Sequence, residues 1–185
     1  MGSYVHPKQA ISCQWLEQLF NQLFLGTMST RLIGGAEEPL YLPADDTCPY
    51  HRLYYREDYL SSALHEIAHW CIAGNERRLQ VDFGYWYNPD GRTAQQQQQF
   101  EQVEVKPQAV EWHLSVAAGQ RFHLSADNLH GEAGASDSFA DAVCQQAQQY
   151  CAKGLPQRAQ TLVEALQQHL GTPLCEPQRY SREQL

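Results

Sequence analysis

The chain has 185 residues, and its 13 Lys and Arg against 21 Asp and Glu give a formal net charge of −8. This acidic balance argues against a general nucleic-acid binder, because phosphate contacts need clustered basic side chains. No run of about 18 apolar residues occurs, which argues against a membrane-spanning helix. Because residues 1–14 are also too polar for a signal peptide, we expect a cytoplasmic protein that contacts neither nucleic acid nor membrane.

The spacing of the cysteines predicts neither a metal-binding motif nor a redox motif. There are six of them: Cys13, Cys48, Cys71, Cys144, Cys151 and Cys175. None belongs to a C-x-x-C pair, which argues against a zinc ribbon and against a thioredoxin-type site. Since no export signal is predicted, we expect all of them to be reduced thiols.

The first part of the chain predicts two helices with short strands between them. Apolar residues at helical spacing over residues 11–25 indicate an amphipathic helix that ends at Gly26. Short apolar pieces separated by turn residues over residues 31–55 are typical of strands. A second helix is predicted over residues 59–73, with Asp58 as its N-cap.

A long third helix is predicted over residues 93–118, after a β-prone aromatic stretch at residues 79–87. Pro107 lies inside this helix and predicts a kink or a break, because proline cannot donate a backbone hydrogen bond. His113, on the same helix, is expected to be a buried packing residue. Residues 122–124 are expected to form a short strand.

Two further helices are predicted over residues 136–153 and 157–170, with glycine and proline between them. The polar tail after residue 173 is expected to be loosely held. Since no repeat or long linker divides the sequence, we interpret residues 1–185 as a single α+β domain.

The second predicted helix contains an H-E-x-x-H motif at residues 65–69. Its two histidines, His65 and His69, are one helical turn apart, so both imidazoles can reach one metal ion. Small and apolar residues surround the motif and predict a dry wall for such a site. We therefore predict a metal site on this helix.

A third protein ligand is expected from a carboxylate on the long helix, because two histidines leave coordination positions open. Glu104 is the first choice, since it lies beside an apolar row of the helix, and Glu101 is the second. Glu111 fits that row less well, and Asp82 and Asp90 are more remote candidates. Two histidines and a carboxylate suit either zinc or non-haem Fe(II).

Glu66, inside the motif, need not touch the metal itself. In a zinc hydrolase Glu66 would be the general base that polarises a metal-bound water. In an oxygenase it would orient a ligand or a bound water instead. The residues leave both chemistries open, and the frequency of the motif alone favours a zinc peptidase.

Beyond the motif, the chain resembles the bacterial elongation factor P hydroxylase family over blocks that span residues 30 to about 118. The blocks are Thr30-Arg31-Leu32-Ile33-Gly34-Gly35, Glu38-Pro39-Leu40-Tyr41-Leu42-Pro43-Ala44, His65-Glu66-Ile67-Ala68-His69-Trp70-Cys71-Ile72-Ala73-Gly74 with Arg77-Arg78, Asp82-Phe83-Gly84-Tyr85-Trp86-Tyr87, Pro89-Asp90-Gly91-Arg92, and Phe100-Glu101 with Val103-Glu104-Val105-Lys106-Pro107-Gln108-Ala109. Together these blocks are far more specific than H-E-x-x-H alone.

The resemblance implies a small mixed sheet surrounded by helices, in a zincin-like or YbeY-type layout. It also implies hydroxylation of the β-lysylated lysine of elongation factor P, with Fe(II) as the expected metal and O2 as co-substrate. Zinc or another divalent metal is an alternative occupant in a purified sample. His65 and His69 match the two histidines of the family, and both Glu104 and Glu101 match its carboxylate block.

The substrate that the resemblance implies is a long side chain with several positive charges. An acidic, aromatic cleft would suit it through ion pairs and cation–π contacts. The candidates for this cleft are Asp82, Tyr85, Trp86, Tyr87 and Asp90. The leading hypothesis is therefore this hydroxylase. The alternatives are a zincin-type zinc metallohydrolase with Glu66 as base, and a non-catalytic adaptor whose metal stabilises the fold.

Overall fold

The computed structural model describes residues 11–82, 92–126, 135–172 and 175–185. Its helices are α1 (Cys13–Met28), α2 (Leu60–Ile72), α3 (Ala94–Ala117), α4 (Asp137–Lys153) and α5 (Gln157–Leu170). Its strands are β1 (Thr30–Ala36), β2 (Leu40–Leu42) and β3 (His51–Arg56). The α+β class is confirmed, and every predicted helix has a counterpart. Among these residues no helix is long and apolar enough to cross a lipid bilayer.

The strands form one small mixed sheet in the order β1-β3-β2. β3 is parallel to β1 and antiparallel to β2, so that Leu53 lies between Leu32 and Tyr41. All three side chains are buried in a core that joins the sheet to α1, α2, α3 and α5. The mixed sheet with surrounding helices is confirmed, while the zincin-like layout stays a prediction.

The long helix α3 lies between two apolar cores. Val110 and Leu114 belong to the larger core with the sheet, whereas Ala109 and Trp112 belong to a second core with α4. Because both sides of α3 are covered, several polar residues of this helix are also buried: Glu101, Glu104, Gln108, Glu111 and His113. A buried polar group is costly unless it has a partner, so the contacts of these residues indicate where chemistry can occur.

Two predicted helix ends differ from the structure. α1 continues through Gly26 and is capped by Ser29, which has a left-handed backbone (φ 47°). A single glycine costs a helix only about 1 kcal/mol, and the packing of α1 on the larger core outweighs that cost. The N-cap of α2 is Tyr59, so Asp58 lies one residue outside the capping position.

α3 is continuous across Pro107, so the predicted break does not occur. The proline ring is buried, and this packing offsets the single backbone hydrogen bond that proline cannot donate. The start of the helix is fixed by a capping box in which Thr93 and Gln96 exchange hydrogen bonds. Gly119, which has a left-handed backbone (φ 69°), follows its end.

Two predictions near the C-terminus are wrong. Residues 122–124 form no strand, and the aromatic ring at position 122 instead stacks on Trp112 at 5.1 Å between ring centroids. The tail is held over residues 175–185, because Tyr180 is only 1% exposed and accepts a hydrogen bond from Gln148. Arg182 also pairs with carboxylates at the start of α4.

Cys151 and Cys175 are joined by a disulfide, so the prediction of reduced thiols is wrong for this pair. The end of α4 and the C-terminal segment bring their Cα atoms to 5.6 Å, a separation that suits a disulfide. Spacing in the sequence carries no signal for such a pairing. The other four cysteines are free thiols, as predicted.

Arg158 of α5 holds the C-terminal end of α2. Its guanidinium donates hydrogen bonds to the carbonyls of Trp70 (2.8 Å), Cys71 (3.1 Å) and Ala73, and it lies 4.8 Å from the centroid of the Trp70 ring. The last carbonyls of a helix lack partners within the helix, and a cation there is favourable. We expect Arg158→Met, which keeps the aliphatic stem, to lower the free energy of unfolding by about 2–3 kcal/mol.

Urea unfolding measures this effect. The matched control is Arg121→Met, because Arg121 is exposed, and it should change the free energy of unfolding by less than about 0.5 kcal/mol. Equal losses from the two substitutions would contradict the capping role of Arg158.

Candidate metal centre

The H-E-x-x-H motif lies in α2, and the imidazole rings of its two histidines lie next to each other. The Nε2 atoms of His65 and His69 are 3.0 Å apart. The helix turns its other face into the larger core, where Leu64, Ile67 and Ala68 are buried. Because these apolar contacts fix the rotation of α2, the two imidazoles are directed together toward α3.

Glu104 of α3 completes a three-residue cluster with the two histidines. Its Oε1 lies 3.3 Å from the Nε2 of His69. One ligand atom from each of His65, His69 and Glu104 lies within 4.8 Å of the others. Two imidazole nitrogens and one carboxylate oxygen are a donor set that suits zinc or non-haem iron. The structure thus brings the two histidines together with the first-choice carboxylate, and their role as ligands stays a prediction.

Gln108, one turn after Glu104, fixes the orientation of that carboxylate. Its side-chain amide donates to Glu104 Oε2 (3.3 Å) and to the Ser125 carbonyl (2.7 Å), and it accepts from the Ser125 N–H (3.0 Å). Oε1 therefore faces the histidines. Burial raises the pKa of Glu104, but the neighbouring histidines outweigh it and hold the pKa below its usual value. Gln108 was not among the predicted site residues, although its spacing of four residues from Glu104 is a signal for a contact.

Glu111, a less favoured candidate ligand, lies outside the three-residue cluster and contacts His65 instead. Its Oε2 lies 2.8 Å from the Nδ1 of His65, so the ring donates from Nδ1 and leaves Nε2 for an ion. Burial lowers the pKa of His65, but the carboxylates, Glu111 above all, outweigh it and raise the pKa to about 10. Without an ion the ring therefore carries a proton on Nε2 as well, and a metal would bind there by displacing that proton. Glu111 is seven residues after Glu104, close to two helical turns, and this spacing could have indicated a shared face.

We expect Glu111→Gln to weaken metal binding by about 10–100-fold, because carboxylates that orient a histidine ligand contribute this much to affinity. Competition with a metallochromic chelator measures the effect. The matched control is Glu164→Gln, since Glu164 is an exposed carboxylate on α5. The metal affinity of this control variant should equal that of the unmodified chain. An unchanged affinity in Glu111→Gln would show that Glu111 does not orient His65.

The structure does not bring Glu101, the second-choice ligand, into the cluster. Its carboxylate accepts hydrogen bonds from the Ser136 N–H (3.1 Å) and from the Ser136 hydroxyl (2.6 Å). Ser136 is the N-cap of α4, so Glu101 joins α3 to the start of α4. Glu101 is outside the cluster because it lies on the side of α3 that packs against the second core, whereas Glu104 lies on the side that packs against α2.

Glu66 and Asp82 line one small cavity beside His69. Its volume is about 40 Å³, which is room for very few water molecules and not for a lysine side chain. Burial raises the pKa of Glu66 above its ordinary value. Asp82 is paired with Arg77 (2.6 Å), so a cationic ligand would compete with this ion pair.

A larger groove also reaches His69. It has a volume of about 500 Å³, and its lining includes Ile72 of α2 and Gln102 and Lys106 of α3. Of the predicted substrate-contact residues, Tyr85, Trp86, Tyr87 and Asp90 lie outside the described residues. His113 is buried, as predicted, and takes no part in this centre.

Comparison with known proteins agrees with the resemblance of the sequence blocks. The model of the elongation factor P hydroxylase family matches residues 19–180. An elongation factor P lysine hydroxylase of Haemophilus influenzae is 55% identical over 148 residues, which cover 80% of this chain and 83% of that relative. A match over this share of both chains extends well beyond the H-E-x-x-H helix. The chain therefore belongs to the elongation factor P hydroxylase family.

Proposed function

We propose that the chain hydroxylates a lysine side chain of elongation factor P. Family membership and the named activity of the Haemophilus influenzae relative support this proposal. The observation that carries it is the cluster of His65, His69 and Glu104, since oxygen insertion needs a redox-active group that amino-acid side chains do not supply. The metallopeptidase alternative receives no support from the comparisons.

The proposed metal is Fe(II), with O2 as co-substrate. His65 and His69 would hold the ion from α2, and Glu104 would hold it from α3. This donor set suits non-haem Fe(II) and leaves coordination positions open, although zinc accepts the same donors. When bound, the iron would supply the activation of O2.

The residues around the three ligands are proposed to orient them and to move protons. Glu111 fixes the tautomer of His65, and Gln108 turns one oxygen of Glu104 toward the histidines. Glu66, which burial favours in its protonated form, is proposed as the group that exchanges a proton with water in the small cavity.

The proposed form of the substrate is the β-lysylated lysine of elongation factor P. The groove between α2 and α3, about 500 Å³ in volume, is large enough for an extended side chain that approaches His69. Tyr85, Trp86 and Asp90 stay predicted contacts for its amino groups. Asp82 stays one too, although it lines the small cavity and would have to exchange its ion pair with Arg77 for one with the substrate. We further propose that residues 1–185 act as one domain in the cytoplasm, with neither nucleic acid nor membrane as a partner.

The proposal is tested in cells that lack this chain and are complemented with it. Elongation factor P is isolated, and the peptide that carries its modified lysine is weighed by mass spectrometry. We expect complementation to add about 16 Da, the mass of one oxygen atom, and only to the lysylated peptide. Equal peptide masses with and without the chain would overturn the proposal.

A further inference from the structure

Away from the candidate metal centre, α3 presents a second set of metal-ligating side chains. His113 lies two residues after Glu111, about 200° around the helix, and therefore on another face. Cys151 belongs to the last turn of α4, and Cys175 belongs to the C-terminal segment. One ligand atom from each of His113, Cys151 and Cys175 lies within 4.8 Å of the others.

The imidazole of His113 is already oriented toward the sulfur atoms. Its Nε2–H donates to the Ala147 carbonyl (2.9 Å), so Nδ1 is the nitrogen without a proton. Nδ1 lies 3.8 Å from the Cys175 Sγ and accepts a hydrogen bond from the Tyr180 hydroxyl (2.8 Å). Histidine ligands of metals usually donate their other ring N–H to a carbonyl or carboxylate in this way.

We propose that His113, Cys151 and Cys175 form a second metal site, which holds a thiophilic divalent cation such as Zn²⁺ when the disulfide is reduced. Two thiolates and one imidazole are three of the four ligands of a tetrahedral zinc site. A disulfide by itself has no need of an oriented, unprotonated imidazole nitrogen beside it. The cavity that these residues line has a volume of about 310 Å³, which leaves room for the ion and a water molecule.

The disulfide form converts to the metal-bound form in two balanced steps. Two molecules of a thiol such as glutathione together transfer two electrons and two protons to the S–S bond, join as one glutathione disulfide, and leave two cysteine thiols. Zn²⁺ then binds both sulfur atoms as thiolates together with His113 Nδ1, and the two thiol protons pass to water. The Tyr180 hydroxyl would give up its bond to Nδ1 when the ion takes that nitrogen.

The proposed site would fasten the C-terminal segment to α3 and α4. Tyr180 of that segment is buried in the second core, where its ring lies edge-on to Trp112. In an oxidising compartment the disulfide keeps Cys175 beside α4. In a reducing compartment, where the disulfide opens, the metal would do the same.

Co²⁺ is the probe for this site. Thiolate ligands give Co²⁺ an intense charge-transfer absorption in the near ultraviolet, whereas the two histidines and the carboxylate of the candidate metal centre contain no sulfur. The full chain, reduced with a phosphine under anaerobic conditions, is titrated with Co²⁺. We expect a band that saturates at about one sulfur-bound Co²⁺ per chain and disappears on addition of Zn²⁺. The same chain with its disulfide intact should give no band.

Variants then assign the ligands. Cys151→Ser and Cys175→Ser should each remove the band or weaken it strongly, and His113→Gln should lower the Co²⁺ affinity by at least about tenfold. Cys144→Ser is the matched control, because Cys144 is a buried free thiol of the same helix as Cys151, and it should keep the band.

Three results would overturn the proposal: no band in the reduced chain, an equal band in the oxidised chain, or an unchanged band in Cys175→Ser. Far-ultraviolet circular dichroism verifies that each variant is folded. Where a variant is unfolded, the Co²⁺ bands of the reduced and oxidised forms of the unmodified chain are compared instead. These two forms have the same sequence, so no substitution can account for a difference between them.

Discussion

Replacing Glu104 by Ala is expected to abolish both metal binding at the candidate metal centre and the hydroxylation of elongation factor P. The Glu104 carboxylate is 1% exposed, its Oε1 lies 3.3 Å from the Nε2 of His69, and Gln108 holds its other oxygen. Residues that orient a ligand contribute about 10–100-fold to metal affinity. Loss of a direct ligand should reduce the metal affinity by more than that. The iron content of anaerobically purified protein and the mass of the lysine peptide measure the two effects.

Glu101→Ala is the matched control for this experiment. Glu101 is also buried and lies one turn away on the same helix, but its carboxylate bonds to Ser136 at the start of α4. We expect this variant to be less stable and to keep its metal. If Glu101→Ala loses the metal while Glu104→Ala keeps it, the assignment of the third ligand is wrong.

Glu66→Gln is expected to slow hydroxylation by about 10²–10⁴-fold, the usual contribution of a positioned acid or base, without loss of the metal. The amide has the size of the carboxyl group, but it cannot exchange a proton with water in the cavity beside His69. The initial rate of oxygen incorporation at saturating substrate, together with the metal content, measures this effect.

Glu76→Gln is the control for Glu66→Gln, because Glu76 is exposed just after the end of α2, and its rate should equal that of the unmodified chain. A hydroxylation rate that is unchanged in Glu66→Gln would remove Glu66 from the mechanism. A peptide-cleaving activity that disappears in Glu66→Gln would instead favour the metallopeptidase.

The helices at the C-terminal end could be predicted almost to the residue. The predicted segments 136–153 and 157–170 correspond to α4 (Asp137–Lys153) and α5 (Gln157–Leu170). Each of these helices buries one face and exposes the other, so its hydrophobic period is visible in the sequence. Gly154 and Pro156 between them are strong signals for an interruption.

The partners of the carboxylates on α3 could not be derived in the same way. α3 is covered on two sides by different cores, so no hydrophobic period shows which face is inside. Glu101, Glu104 and Glu111 are all buried, yet they contact Ser136, His69 and His65 respectively. Only the packing of α3 between α2 and α4 distinguishes these three roles.

The C-terminal segment was mispredicted because its composition conceals a few decisive contacts. It is polar along most of its length, and such composition is typical of a loosely held tail. A single buried aromatic residue, Tyr180, and the link from Cys175 to Cys151 fix it to the second core. Contacts between residues far apart in sequence leave no local pattern, so periodicity and spacing could not indicate them.

The decisive experiment on iron-dependent hydroxylation is to weigh the β-lysylated lysine peptide of elongation factor P after reaction with the purified chain. The chain is loaded anaerobically with either Fe(II) or Zn(II) and then exposed to O2 with a chemical electron donor. The expected result is a gain of about 16 Da, one oxygen atom, with the Fe(II)-loaded chain and none with the Zn(II)-loaded chain. An unchanged mass with Fe(II), or an equal gain with Zn(II), would contradict it.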